Sequence, residues 1–131
     1  MVPKAELKKI SRGKLKDADV LRLAGRYDGA VYLCGYAVEI ALKAKICTTL
    51  KWTGFPSTRR EFEGYQSFRT HDLDVLLHLS GVEGKIKTKH LAEWSIVVTW
   101  DPEVRYRVIG AASAQDAVDM IQATRTILGA I

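Results

Sequence analysis

The sequence predicts an all-α fold, an up-and-down bundle of four to five helices that forms a single domain over residues 1–131. Apolar residues recur at helical spacing in several segments. Residues that cap helices stand at the starts of these segments, and glycines stand at the ends of several. Most connections are short, which favours antiparallel neighbours. A chain of 131 residues with 47% hydrophobic residues is long enough to bury a substantial core.

The first two predicted helices differ in character. The first covers residues 4–25, begins after Pro3, and is amphipathic and basic. Gly13 predicts a weak point in it, with a break near residues 11–13. The second helix runs from about Tyr27 to Leu50 and begins the core bundle, 27–131. It is too long and too apolar for a surface helix, so we expect it at the centre of the bundle or in an oligomer interface.

The connection after the second helix is long and rich in turn-forming residues. It spans about 52–67, and a short helical piece is predicted near 59–65. The third helix lies in the stretch "THDLDVLLHLSG". Thr70 or Asp72 is expected to cap its start, and Gly81 is expected to close it.

Two further helices complete the prediction. The fourth runs from near Lys85 to near Thr99; its β-branched run at 96–99 is also typical of a strand, but the helical neighbours favour helix. Asp101 is then expected to cap a new turn. The last helix covers about 113–128 and begins with a Ser113 capping box.

The positive charge is concentrated at the N-terminus. Residues 1–26 hold eight basic and three acidic residues, a net of +5, whereas the rest of the chain holds twelve of each sign. Such a segment can attract phosphate backbones, or it can simply be a solvated helix face. Little aromatic character is interleaved with it, which does not favour stacking on bases.

The two cysteines and the hydropathy pattern indicate a reducing compartment. Cys34 and Cys47 fall thirteen residues apart on one predicted helix, roughly 20 Å and therefore too far for a disulfide. We expect two buried free thiols. No apolar run reaches the roughly 18 residues of a membrane span, and no signal-peptide core is present, so a cytoplasmic location is expected.

A stripe of polar residues crosses the otherwise apolar second helix. Asp28, Tyr32, Tyr36, Glu39 and Lys43 fall within roughly a quarter of the helix circumference. We call these five residues the polar stripe. One interpretation is that the stripe is the edge of a buried helix that meets water; the other is that it lines a groove with a binding site.

The sequence resembles the HEPN domain family of prokaryotes from about Asp17 to the C-terminus. The resemblance is carried by "YLCGYAVEIALKA" at 32–44 and "THDLDVL" at 70–76, followed by a tryptophan-bearing helix, "WDPEVRYR" and a final amphipathic helix. It implies an all-α bundle that usually dimerises. Many members are ribonuclease toxins or act in defence systems; others accompany a nucleotidyltransferase-type partner or are proposed to bind nucleotides.

The sequence departs from the catalytic pattern of this family. Active ribonucleases of the family carry an arginine, four to six residues, and then a histidine. The three histidines here are His71, His78 and His90, and none has an arginine at the required distance. Lys85, five residues before His90, supplies a positive charge, but its ammonium cannot bind a phosphate in two places as the guanidinium of arginine does. The catalytic pair of the family is therefore not transferred to this chain.

The first functional hypothesis is a HEPN-type interaction or binding module without that pair. It would be a homodimer that pairs with a nucleotidyltransferase-type protein or binds a nucleotide or RNA. The expected ligand-binding residues are Glu39, Lys43, His71, Arg105 and Tyr36. Lys43 and Arg105 would hold phosphate, and Glu39 would orient one of them.

The alternatives stay open at this point. One is a divergent ribonuclease that works without metal, with His71 or His90 moving the proton and Arg105 or Lys85 holding the phosphate. Another is an interaction protein in which the polar stripe is only structural. No zinc-ligand spacing, phosphate loop, dinucleotide fingerprint or serine-hydrolase elbow is present, so neither a metal nor a cofactor is predicted.

Overall fold

The computed structural model of the chain describes residues 1–131, apart from the side chain of Arg105. The predicted all-α bundle is confirmed, with one very small sheet added. Along the described chain the helices are α1 (Lys4–Leu23), α2 (Tyr27–Leu50), α3 (Leu73–Ser80), α4 (Glu83–Lys89), α5 (Leu91–Val97) and α6 (Ala114–Ala130). Short 3₁₀ turns cover Gln66–Phe68 and Pro102–Tyr106, and the strands are β1 (Val2–Pro3) and β2 (Gly54–Phe55).

Helices α1 and α2 form an antiparallel hairpin. The Ser11 hydroxyl of α1 donates a hydrogen bond of 2.7 Å to the Ala37 carbonyl of α2. Nearer the turn, Leu21 packs closely against Gly29. The predicted break near 11–13 is wrong, because Ser11 is buried and bonded across the hairpin and α1 continues through Gly13 without interruption.

Helix α3 runs in the same direction as α2, so the up-and-down order expected from the sequence does not hold for these two helices. His71, just before α3, bonds to Glu39 in the middle of α2, and the Ser80 carbonyl at the end of α3 accepts a bond from Thr49 near the end of α2. The long connector 51–72 makes this possible, because it returns along α2 before α3 begins. Short connections could not do so.

The connector 51–72 contains one strand of a pair that sequence periodicity did not indicate. Strand β2 pairs with β1 in antiparallel register, Val2 opposite Phe55. Each strand has only two residues, which is too few to show the alternation of apolar and polar side chains that is typical of a strand. Instead of the helical piece predicted near 59–65, there are turns with one helical bond, from the Phe62 amide to the Thr58 carbonyl.

The predicted fourth helix is two helices, which corrects the single helix expected from Lys85 to Thr99. The backbone of His90 leaves the helical region, with φ −135° and ψ 35°. Neither glycine nor proline marks this position, so local sequence did not reveal it. The bend allows Ile86 of α4 and Trp94 of α5 both to be buried. Within the β-branched run, Ile96 and Val97 are helical, as predicted.

The helix ends expected from capping residues are confirmed. Asp72 caps α3 by accepting from two backbone amides, and Gly81 closes it with φ 80°. Asp101 caps the turn that follows it. Ser113 and Asp116 form the predicted capping box of α6.

Helix α2 is the centre of the bundle, as its composition predicted, and it packs against α1, α3, α5 and α6. Cys34 and Cys47 are buried free thiols, as expected. Burial raises the pKa of the Cys34 thiol to about 11, so this sulfur stays protonated and inert at neutral pH. Within the described residues, no helix combines the length and apolar character that crossing a membrane requires.

The contact between Gly35 and Trp100 yields a stability prediction. A Cβ at position 35 would overlap the rigid indole ring of Trp100, whereas a Cβ at Gly13, in the middle of α1, meets nothing within 4 Å. We expect Gly35→Ala to lower the free energy of unfolding by about 3 kcal/mol or more. The matched change Gly13→Ala should raise it by about 1 kcal/mol, because alanine favours helix. Urea unfolding measures both; a neutral Gly35→Ala would contradict the packing described.

Candidate functional site

The polar stripe of α2 faces other parts of the protein, and it is not a simple solvent edge. Asp28 contacts the loop before α6. Tyr32 and Tyr36 contact Trp100. Glu39 and Lys43 face the connector 51–72. Each member of the polar stripe therefore has a tertiary partner.

The Glu39 carboxylate is the buried centre of the candidate site. It is 2% exposed. Its Oε2 accepts from the Lys43 ammonium at 3.0 Å, and its Oε1 accepts from His71 Nδ1 at 2.9 Å. A buried carboxylate without such partners would be strongly unfavourable, and removing one partner of a buried pair typically costs about 3 kcal/mol or more.

Local structure places both partners of Glu39. Lys43 is one helical turn after Glu39, the spacing at which side chains meet on a helix. His71 directly precedes Asp72, the residue that caps α3. The Thr70 hydroxyl accepts from the Asp72 amide at 3.0 Å. The start of α3 thus sets where His71 meets α2.

The bond to Glu39 also orients the imidazole of His71. A carboxylate can only accept, so Nδ1 carries the hydrogen and Nε2 is left on the other edge of the ring. The His71 side chain is 59% exposed. A solvent-accessible Nε2 can accept a hydrogen bond or take up a proton.

A cavity of about 520 Å³ lies beside these residues, between α2 and the connector 51–72. Its size is typical of sites for small molecules. The polar residues of its lining are Lys43, Ser57, Arg69, Thr70 and His71. The apolar residues of its lining are Val2, Leu7, Ile40, Phe55, Pro56 and Phe62.

The cations of this cavity are held over aromatic rings. Lys43 Nζ lies 5.4 Å from the centroid of Phe55, and the Arg69 guanidinium carbon lies 5.7 Å from the centroid of Phe62. Such stacking limits the conformations of both side chains. With Glu39 as the buried counter-charge, two permanent cations and one imidazole face the cavity, and the site is suited to an anion.

The structure brings together Glu39, Lys43 and His71 of the five predicted ligand-binding residues. Tyr36 instead packs in an aromatic cluster, 5.1 Å from Tyr32 and 5.4 Å from Trp100 between ring centroids. The side chain of Arg105 lies outside the described residues, and its role stays a prediction.

The other catalytic candidates lie elsewhere. His90 stands at the junction of α4 and α5. Lys85 donates a hydrogen bond of 2.6 Å to the Ala130 carbonyl at the end of α6, so its ammonium is engaged there. No group of three or more histidine, cysteine, aspartate or glutamate side chains able to hold a metal ion occurs among the described residues.

Sequence reasoning missed Arg69, Phe55 and Phe62. All three belong to the connector 51–72, where no helical or strand period relates one side chain to the next. The only available signal was the short separation of Arg69 and His71 in "FRTH". That separation is shorter than the four to six intervening residues of the family pattern.

A second, larger cavity of about 880 Å³ lies at the opposite end of α2. Its charged lining is mixed and includes Arg26, Arg107, Asp28, Asp116 and Asp119. The Asp28 carboxylate is already occupied, because it accepts from the Gly110 and Ala112 amides at 2.7 and 2.9 Å. The smaller cavity is therefore the better candidate, since its polar groups converge around a buried carboxylate.

Comparisons of the chain with protein-family models, with curated proteins and with solved structures found no match. The resemblance to the HEPN family therefore rests on the segments 32–44 and 70–76, and function is argued from the site.

The hydrogen bonds of Asp28 yield a prediction about pH. The Gly110 amide, followed by the Ala112 amide, lowers the pKa of Asp28 below its ordinary value of 3.8. The resulting stabilisation is complete above that value and is lost as the pH falls through the lower folded pKa. At neutral pH we expect Asp28→Asn to cost about 1 kcal/mol. Urea unfolding should show that the difference in free energy of unfolding between Asp28→Asn and the wild type shrinks below pH 3.8.

The control is Asp17→Asn, at an exposed position. A difference for Asp28→Asn that does not depend on pH would contradict the prediction.

Proposed function

We propose that this chain is a HEPN-type binding module that holds a nucleotide, or the phosphate end of an RNA, in the cavity beside Glu39. The observation that carries the proposal is the bond between Glu39 and His71. Glu39 belongs to the segment 32–44 and His71 to the segment 70–76, the two segments on which the family resemblance rests. Their contact brings the two segments together beside one cavity, which supports a shared site.

The chemistry of the cavity favours a ligand with phosphate and a flat apolar part. The guanidinium of Arg69 can bind two phosphate oxygens at once, and the Lys43 ammonium adds a point charge. The Ser57 and Thr70 hydroxyls can bond sugar hydroxyls. Phe55 and Phe62 are buried beneath the two cations, so the apolar contact for a base would come from the half-buried Val2, Ile40 and Pro56. A mononucleotide satisfies all of these features.

The partners of the module follow from the resemblance alone. They are a second copy of the chain and a nucleotidyltransferase-type protein in a two-component toxin–antitoxin-like or defence system. Light scattering of the purified chain tests the homodimer, and co-expression with an adjacent nucleotidyltransferase gene tests the pair.

Nucleotide binding should raise the melting temperature of the wild-type chain. At a nucleotide concentration about ten times Kd, about 1.4 kcal/mol of stabilisation should raise Tm by about 5 °C. Thermal melts with adenine and guanine mononucleotides measure this shift. Arg69→Gln should abolish it and lower the basal Tm only slightly, because the exposed Arg69 loses one cation–π contact with Phe62. Lys43→Gln should also abolish it.

Lys45→Gln is the control, since Lys45 is on α2 but outside the polar stripe. It should keep the full shift. If no nucleotide raises the Tm of the wild type, or if Arg69→Gln responds as the wild type does, nucleotide binding in this cavity is excluded.

The geometry of His71 favours one second candidate, a ribonuclease that needs no metal. Glu39 holds Nδ1, as an orienting group holds a catalytic histidine, and His71 lines the same cavity as Lys43 and Arg69. This candidate predicts RNA cleavage in the presence of a chelator. His71→Ala should abolish cleavage, and His90→Ala should not, because His90 lies at the α4–α5 junction. A wild-type chain that leaves RNA intact removes this candidate.

A further inference from the structure

The outer face of α1 carries a row of exposed cations that the cavity does not use. Helix α1 packs on the bundle through Leu7, Ser11 and Ala18. Away from these residues, four basic side chains lie within about 100° of the helix circumference. They are Lys8, Lys9, Arg12 and Lys16, all exposed, and we call them the basic row.

The spacing of the basic row is regular. Lys8, Arg12 and Lys16 follow at four-residue intervals, so they span about 12 Å along one side of α1. Ala5 lies on the same side of α1 as the basic row, and Gly13 lies next to the row. Neither has a large side chain that would keep a partner away from the charges. The row is therefore open to a long, flat partner.

Acidic residues of α1 do not neutralise the basic row. Glu6 and Asp17 fall about 105° and 125° away from its centre on the helix circumference. Asp19 falls within the arc of the row, about one turn beyond Lys16, but its carboxylate is bonded to Arg22 at 3.0 Å. Among the described side chains, none forms an ion pair within 4.0 Å of any member of the row. Four unpaired charges of one sign on a rigid helix indicate a polyanionic partner.

We propose that the basic row binds the phosphate backbone of double-stranded nucleic acid without reading its sequence. A duplex carries one charge per about 1.7 Å of axis, so the 12 Å of the row faces about seven phosphates, enough for four cations. Proteins that hold single strands add aromatic side chains on which bases stack. The exposed face of α1 has none, since its residues from Lys4 to Leu23 include no aromatic.

An anionic membrane fits the row less well. Helices that lie in a membrane surface bury an apolar face in the lipid. The apolar face of α1 is already buried against α2. Two exposed apolar residues, Val20 and Leu23, lie beyond the end of the row and do not alternate with its charges.

Fluorescence anisotropy with a labelled duplex of about 20 base pairs tests the proposal, over about 50 to 200 mM salt. Each cation that neutralises a phosphate of a duplex contributes about −0.9 to the slope of log K against log salt concentration. The wild type should therefore give a slope of about −3.6 on duplexes of unrelated sequence, with weaker binding to a single strand and to vesicles of phosphatidylglycerol.

The test variant is Lys8→Gln/Arg12→Gln/Lys16→Gln, which keeps good helix formers at exposed positions. Its slope should fall to about −0.9, with at least about tenfold weaker binding at low salt. The control Arg60→Gln/Lys89→Gln/Arg125→Gln removes the same three charges from exposed positions elsewhere and should bind as the wild type does. Equal melting temperatures of the two variants would show that both fold.

Three results would overturn the proposal. They are the absence of duplex binding at the lowest salt, an equal loss in both triple variants, and tighter binding to vesicles or to the single strand than to the duplex. The nucleotide site is tested separately, because Arg69→Gln should lose the nucleotide shift and keep duplex binding. The two proposals can thus fail independently.

Discussion

The buried Glu39 carboxylate is the interaction on which the candidate site depends. An ionised carboxylate removed from water needs close donors, and this one has two, from Lys43 and from His71. Lys43 is a neighbour on the same helix, but His71 comes from beyond the long connector 51–72. The bond to His71 therefore holds that connector against α2, and with it the walls of the cavity.

The position of α2 explains why all five members of the polar stripe have tertiary partners. A helix packed on several sides cannot leave a polar group without a partner at little cost. The polar stripe meets a different partner at each level: backbone amides at Asp28, the Trp100 ring at Tyr32 and Tyr36, and the connector at Glu39. One interpretation of the sequence placed the polar stripe at a solvent-exposed edge of α2. In the structure it lies where three other segments of the chain contact α2.

Prediction from sequence succeeded where a local interaction decides the structure. Capping by Asp72 and Ser113 uses only atoms within a few residues, so the starts of α3 and α6 were predictable. The bend at His90 was missed because burial of side chains on both flanking helices produces it, with no local signal. In the site, Glu39, Lys43 and His71 were found; Arg69 was missed because an irregular connector places it.

The sequence by itself determined the helical segments other than the division between α4 and α5, the central role of α2 and the narrow stripe on its surface. Apolar periodicity and helix capping depend on residues within one or two helical turns, so they can be recognised in a single sequence. Only the tertiary structure decided that α3 runs parallel to α2 and that His71 reaches Glu39. That pairing depends on how a long connector folds back, and no local period encodes its path. The cavity exists because of that path.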